Sequence, residues 1–121
     1  MKNLFFLFFI LLISSCSNNS ETEYLISEKK VYLKVGTNTS EEELVKISTE
    51  LLAERNISVD FQDSEFGDDG KLMYLNLKVD CNDDFRGSTK AEKVALMVSK
   101  YGFVRDYSEG SDAPFRIGSV N

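Results

Sequence analysis

The chain sets 20 acidic against 14 basic side chains over 121 residues, a formal net charge of -6, and so lacks the basic cluster that a nucleic-acid partner requires. It holds no histidine, which removes the common proton shuttle, the commonest metal ligand and every Ser-His-Asp or Cys-His pairing. Its length suits one hydrophobic core rather than two.

Met1-Lys2-Asn3 carries one positive charge, Leu4 to Ile13 is unbroken apolar sequence, and Ser14-Ser15-Cys16 closes it with small residues and a thiol. A charged start, a short greasy core and a small-residue cleavage region predict a secretory leader over residues 1–15. The apolar run is about half of the ~20 residues that a membrane-spanning helix needs. Leu12-Ile13-Ser14-Ser15-Cys16 resembles the bacterial lipoprotein signal. That resemblance implies diacylglycerol on the Cys16 thiol, cleavage before Cys16 and acylation of the new amino group, so the lipid bilayer is the first expected partner. Two or three acyl chains hold a protein on a membrane durably, at about 0.8 kcal/mol per buried methylene. Ser17-Asn18 stand where many Gram-negative lipoproteins carry a retention aspartate, which favours the outer membrane, with the domain facing the periplasm. Residues 16–28 are expected to be lipidated cysteine and flexible tether, polar throughout Ser17 to Glu23. Residues 29–121 then form a single domain.

Lys30 to Val35 alternates, with Val31, Leu33 and Val35 on one side and Tyr32 and Lys34 on the other, as a half-buried strand does. Thr39 and Ser40 each have a glutamate three residues on, the reciprocal cap of a helix start. Leu44, Ile47, Ser48, Leu51 and Leu52 recur at helical spacing up to Asn56, predicting a helix from Ser40 to Arg55. Ile57, Val59 and Phe61 alternate as a second strand. Gly67-Asp68-Asp69-Gly70 is a turn. Met73, Leu75, Leu77 and Val79 then alternate with Tyr74, Asn76 and Lys78 in a long strand expected to be central.

Beyond Cys81, the loop Asn82-Asp83-Asp84 precedes a stretch with two readings. Ala91, Val94, Ala95, Val98 and Tyr101 fit a second amphipathic helix capped by Ser88 or Thr89. Alternatively, Phe85 to Thr89 continue the sheet and Val94 to Val98 form a strand. Phe103, Val104 and Tyr107 suit a last strand, and Pro114 to Gly118 an edge contact or one more. The resulting order, β-α-β-β-α-β, predicts an α+β fold of ferredoxin-like topology: a two-layer sandwich with both helices on one face of an antiparallel sheet.

Thr39-Ser40-Glu41-Glu42-Glu43-Leu44, the helix end Arg55-Asn56-Ile57, the turn at Asp69-Gly70 and the ending Ala113-Pro114-Phe115-Arg116-Ile117-Gly118 together resemble a small domain of secreted or membrane-associated proteins of Bacteroidetes, including extensions of antibiotic-sensor-like metallopeptidases. The resemblance spans roughly residues 30–118. It rests on structural residues and implies no catalytic site; residues 91–101 depart from the shorter Gly- and Ser-rich segment of that family.

With Cys16 taken by lipid, Cys81 has no partner in its own chain, so no disulfide framework is expected. It reads as a buried small hydrophobe at a strand end or an exposed thiol, and the flanking Asp80 and Asp83 make it a poor nucleophile. Two oxygen-rich stretches, Asp63-Glu65-Asp68-Asp69 and Asp80-Asn82-Asp83-Asp84, are the only candidates for calcium, and neither has the alternating spacing of a dedicated loop. No metal, cofactor or catalytic residue is assigned. The face opposite the first helix, with Tyr32, Lys34, Leu72, Tyr74, Asn76 and Lys78, is the candidate binding surface for an envelope protein, a peptide or a glycan. The expectation is an envelope lipoprotein with a small non-catalytic binding module. A structural or assembly lipoprotein and a small enzyme or inhibitor are the alternatives.

Overall fold

The computed structural model describes residues 22–120. The leader, Cys16 and the first part of the tether therefore lie outside the described residues. Eight strands and two helices follow in order: β1 (Glu23–Ile26), β2 (Lys30–Val35), α1 (Glu41–Arg55), β3 (Ser58–Asp60), β4 (Glu65–Phe66), β5 (Leu72–Asp80), β6 (Arg86–Glu92), α2 (Lys93–Val98), β7 (Tyr101–Asp106) and β8 (Phe115–Ser119).

The fold is mixed α/β, but its strands form two sheets rather than one. The first sheet runs β1-β2-β7-β8; in the second, β5 pairs β3 and β4 along one edge and β6 along the other, and every pairing is antiparallel. β5 is thus central, as its length predicts. Inward side chains of both sheets, Val31, Leu33, Val35 and Phe103 from one and Leu75, Leu77, Val79 and Ala91 from the other, share one core with Leu44, Ile47 and Leu51 of α1. Because the inner faces meet in that core, the outer faces turn away from each other.

Local chemistry fixes α1. The Ser40 hydroxyl accepts from the Glu43 N–H at 3.1 Å, and the Glu43 carboxylate accepts from the Ser40 N–H at 3.0 Å. Glu41, Glu42 and Glu43 complement the positive end of the helix dipole. At the far end Asn56 takes a left-handed conformation (φ 57°), and its N–H and that of Ile57 satisfy the carbonyls of Leu52 and Leu51. The helix lies against β1 and β3, closing the open side between the two sheets. On the other side β6 and β8 approach directly. A Cβ on Gly87 would stand 2.9 Å from Ile117 Cγ2 and 3.4 Å from Phe115, so only a glycine admits this contact without displacing a neighbour.

Four expectations are corrected. The domain begins at β1, not at residue 29: Tyr24, Leu25 and Ile26 pair with Leu33, Tyr32 and Val31, and so the second half of the expected tether is an edge strand. The single sheet gives way to two because β2 bonds to β7 rather than to a strand of the β3–β5 group. Residues 86–92 follow the sheet-continuing reading, and only Lys93–Val98 are helical, against the β5 and β6 ends rather than beside α1. Finally, Leu72 is inside, 1% exposed. Glu65 pairs with Tyr74 and Phe66 with Leu72, leaving Met73 as the extra residue of a β-bulge that reverses the alternation.

Candidate functional site

The bulge decides which β5 side chains face outward. Tyr74, Asn76, Lys78 and Asp80 line the outer face opposite Glu92, Lys90, Ser88 and Arg86 of β6. Asp80 stands opposite Arg86 at one end of that overlap and Tyr74 opposite Glu92 at the other, which leaves a polar, mixed-charge surface. Lys78 reaches Asp63 at 3.9 Å across the other edge. Ser64 Oγ both accepts from the Asn76 N–H (2.8 Å) and donates to the Asn76 carbonyl (3.2 Å), filling the gap in the ladder between β3 and β4. The Asn76 side-chain oxygen, by contrast, is buried and has no hydrogen-bond donor. A buried acceptor left unpaired costs about 1–3 kcal/mol, so its place in the middle of an outward row calls for a reason.

Tyr32 and Lys34 sit elsewhere. They lie on the outer face of the first sheet, where the Lys34 ammonium stands 4.8 Å from the Tyr32 ring centroid. Tyr32 is opposite Leu25 on one side and Val104 on the other. The six expected residues therefore divide three ways: Tyr32 with Lys34, Tyr74 with Asn76 and Lys78, and Leu72 in the core.

A second constellation draws on the α1 end, the β5–β6 loop and the β7–β8 loop. Arg105 is buried, 8% exposed, and held by partners on several sides. Its guanidinium donates to Asp83 Oδ2 from Nε at 3.0 Å, with Nη2 2.9 Å from the same oxygen, and from Nη1 to the carbonyls of Asp106 (2.8 Å) and Pro114 (3.0 Å). It also stacks 4.4 Å from the centroids of both Phe85 and Tyr107. Arg55, from the last turn of α1, lies 4.3 Å from the Tyr107 centroid and donates to the Ser27 carbonyl. Burial raises the Tyr107 phenol above its ordinary value, and the two guanidiniums oppose that shift. The hydrogen bonds of both arginines go to the protein's own loops, so the cluster fixes three loops against one another.

Cys81 is 4% exposed beside this cluster, which selects the buried reading. Burial first, then the Asp83 charge, pushes its thiol up to about 11, the opposite of nucleophile activation. The acidic stretches sit at opposite ends of β5, and several of their carboxylates shape turns: Asp69 accepts from the Lys71 N–H, Asp80 from Asn82 and Asp83 from Phe85. Among the described residues no three His, Cys, Asp or Glu side chains group as a metal site, and no described helix is long and apolar enough to cross a membrane.

No family model, curated protein or solved structure matches the chain.

Proposed function

We propose that the chain is an envelope lipoprotein, held on the periplasmic side of the outer membrane by acyl groups on Cys16, whose domain docks an envelope protein through the outer row Tyr74–Asn76–Lys78. The affinity with the small Bacteroidetes module belongs to this reading and rests on the helix cap, the Asp69-Gly70 turn and the Ala113–Gly118 ending. The observation that carries the docking surface is the outer row itself, the half-buried Tyr74 and the exposed Lys78 on β5 flanked by the exposed Lys90 and Ser88 on β6. Such a row offers ring contact, a point charge and adaptable hydrogen bonding, the ingredients of a protein interface. The module is non-catalytic in this reading, since the buried arginine and thiol serve the loops.

The test is affinity capture of the lipidated protein from detergent-solubilised envelopes, after intact mass has established the acyl groups. Tyr74→Ala with Lys78→Ala is expected to lose a partner that Tyr32→Ala retains, because the two tyrosines occupy different sheets. An unchanged set of captured proteins after the first double substitution overturns the docking surface. A mature chain without acyl groups overturns the lipoprotein assignment.

A further inference from the structure

α2 is a helix turned partly inside out. Leu96 is buried, while Val94, Met97 and Val98 are 73%, 68% and 81% exposed. Met73, pushed outward by the bulge, lines a shallow depression with Val94, so four large apolar side chains gather at one end of the domain. Scattered surface valines need no account, but a gathered group on one short element does.

The path of the chain says what lies beside it. Strand directions divide the domain into two poles: the α2 pole holds the start of β1, the start of α1 and the start of β5, and the other holds Arg55, Asn82 and Tyr107. The Thr22 hydroxyl donates to Thr39 and Glu43 at the α1 start, and Glu23 is ion-paired with Lys100, two residues past Val98. Cys16 precedes Glu23 by only seven residues, which even fully extended span at most about 25 Å. An anchor at Cys16 therefore enters the domain at the α2 pole.

We infer that the α2 pole is a lipid-contacting surface, with Val94, Met97 and Val98 seated in the interfacial region of the membrane that anchors Cys16. This rests on the lipoprotein reading above. An apolar face beside an acyl anchor adds a second membrane attachment to the first, fixes the domain's tilt, and turns the opposite pole away from the lipid. Lys93, Glu92 and Glu65 rim the patch, so its border carries both signs and the apolar side chains supply the attraction.

The test uses the full chain, acylated in a bacterial host and reconstituted into phosphatidylethanolamine–phosphatidylglycerol vesicles with and without doxyl-labelled lipid. An environment-sensitive fluorophore is placed through Met97→Cys, with Glu109→Cys, on the loop at the opposite pole, as reference; the buried Cys81 is left in place and the unsubstituted protein supplies the background. The expected result is blue-shifted emission at position 97 that doxyl lipid quenches, with neither effect at position 109. Flotation of acylated protein with identical, unquenched emission at both positions overturns the inference and leaves the lipid anchor standing. A blue shift at 97 that doxyl lipid does not quench assigns the face to a second copy or another protein and also overturns it. Protein that carries no acyl groups by intact mass and fails to float removes the anchor and the inference together.

Discussion

Arg105 and Asp83 meet through two contacts to one carboxylate oxygen, 3.0 Å from Nε and 2.9 Å from Nη2, and this pair ties the loop after β5 to the end of β7. The guanidinium is more buried than its partner, so removing it takes that donor from the Asp83 carboxylate and the Asp106 carbonyl, while the Pro114 carbonyl keeps the Asp106 N–H.

Arg105→Met is therefore expected to destabilise the domain by about 3 kcal/mol, in the range found for breaking a buried pair. Arg105→Lys should recover little, because an ammonium neither stacks flat on Phe85 and Tyr107 nor reaches all three acceptors in one plane. Urea unfolding measures both; a lysine variant as stable as the parent would refute the geometric account.

Asn76→Val should stabilise the isolated protein, by about 1 kcal/mol, because it removes an unpaired buried oxygen and places a β-branched residue in a central strand. If the row docks a partner, the same substitution weakens capture while raising Tm. That combination of opposite signs is the signature to look for, and loss of both stability and capture would mean that Asn76 is structural.

Cys81 should resist alkylation in the native state and react only on unfolding. Its thiol stands near 11 when folded against an ordinary value of 9.0. A raised value contributes stability below the unfolded pKa that is lost as pH climbs through the folded one. Stability is thus expected to decline between pH 9 and 11, and Cys81→Ala should flatten that decline. Iodoacetamide labelling followed by mass spectrometry, with and without urea, checks the first point; Tm against pH checks the second.

Glu23 sits below its ordinary value of 4.5, chiefly through its hydrogen bond with Lys100. A depressed carboxylate stabilises above its unfolded pKa, and the gain disappears as pH falls through the folded value. Below pH 4.5 the β1 edge should accordingly loosen ahead of the β2–β7 ladder. Hydrogen exchange of the β1 amides at acid pH should be selectively faster, and Lys100→Met should show the same exchange already at neutral pH.

The parts legible in the sequence were those whose signals are local. The α1 cap, its stop at Asn56, the Gly67–Gly70 turn and the alternation of Leu75, Leu77 and Val79 each involve residues within one element. Leu72 was misplaced because a bulge has no mark in a two-residue period. The region 86–98 misled for a related reason. β6 turns the small residues Gly87, Thr89 and Ala91 inward, Gly87 because β8 leaves no room for a side chain there, while α2 turns its valines outward. Apolar spacing there pointed away from the core. The triplet Tyr24-Leu25-Ile26 was a signal for β1, overshadowed by the polar run before it. No spacing joins Arg55, Phe85, Arg105 and Tyr107, which come together only through tertiary structure.

Tyr32 lies opposite Val104, so the middle of the first sheet is made by joining an early part of the chain to a late one. Local turns cannot assemble that ladder, and closing so long a loop is slow. A polypeptide emerging from the ribosome must wait for its final third before β2 gains β7 as a neighbour. Until then the first sheet lacks its middle, and the edge strand β1 has β2 alone beside it.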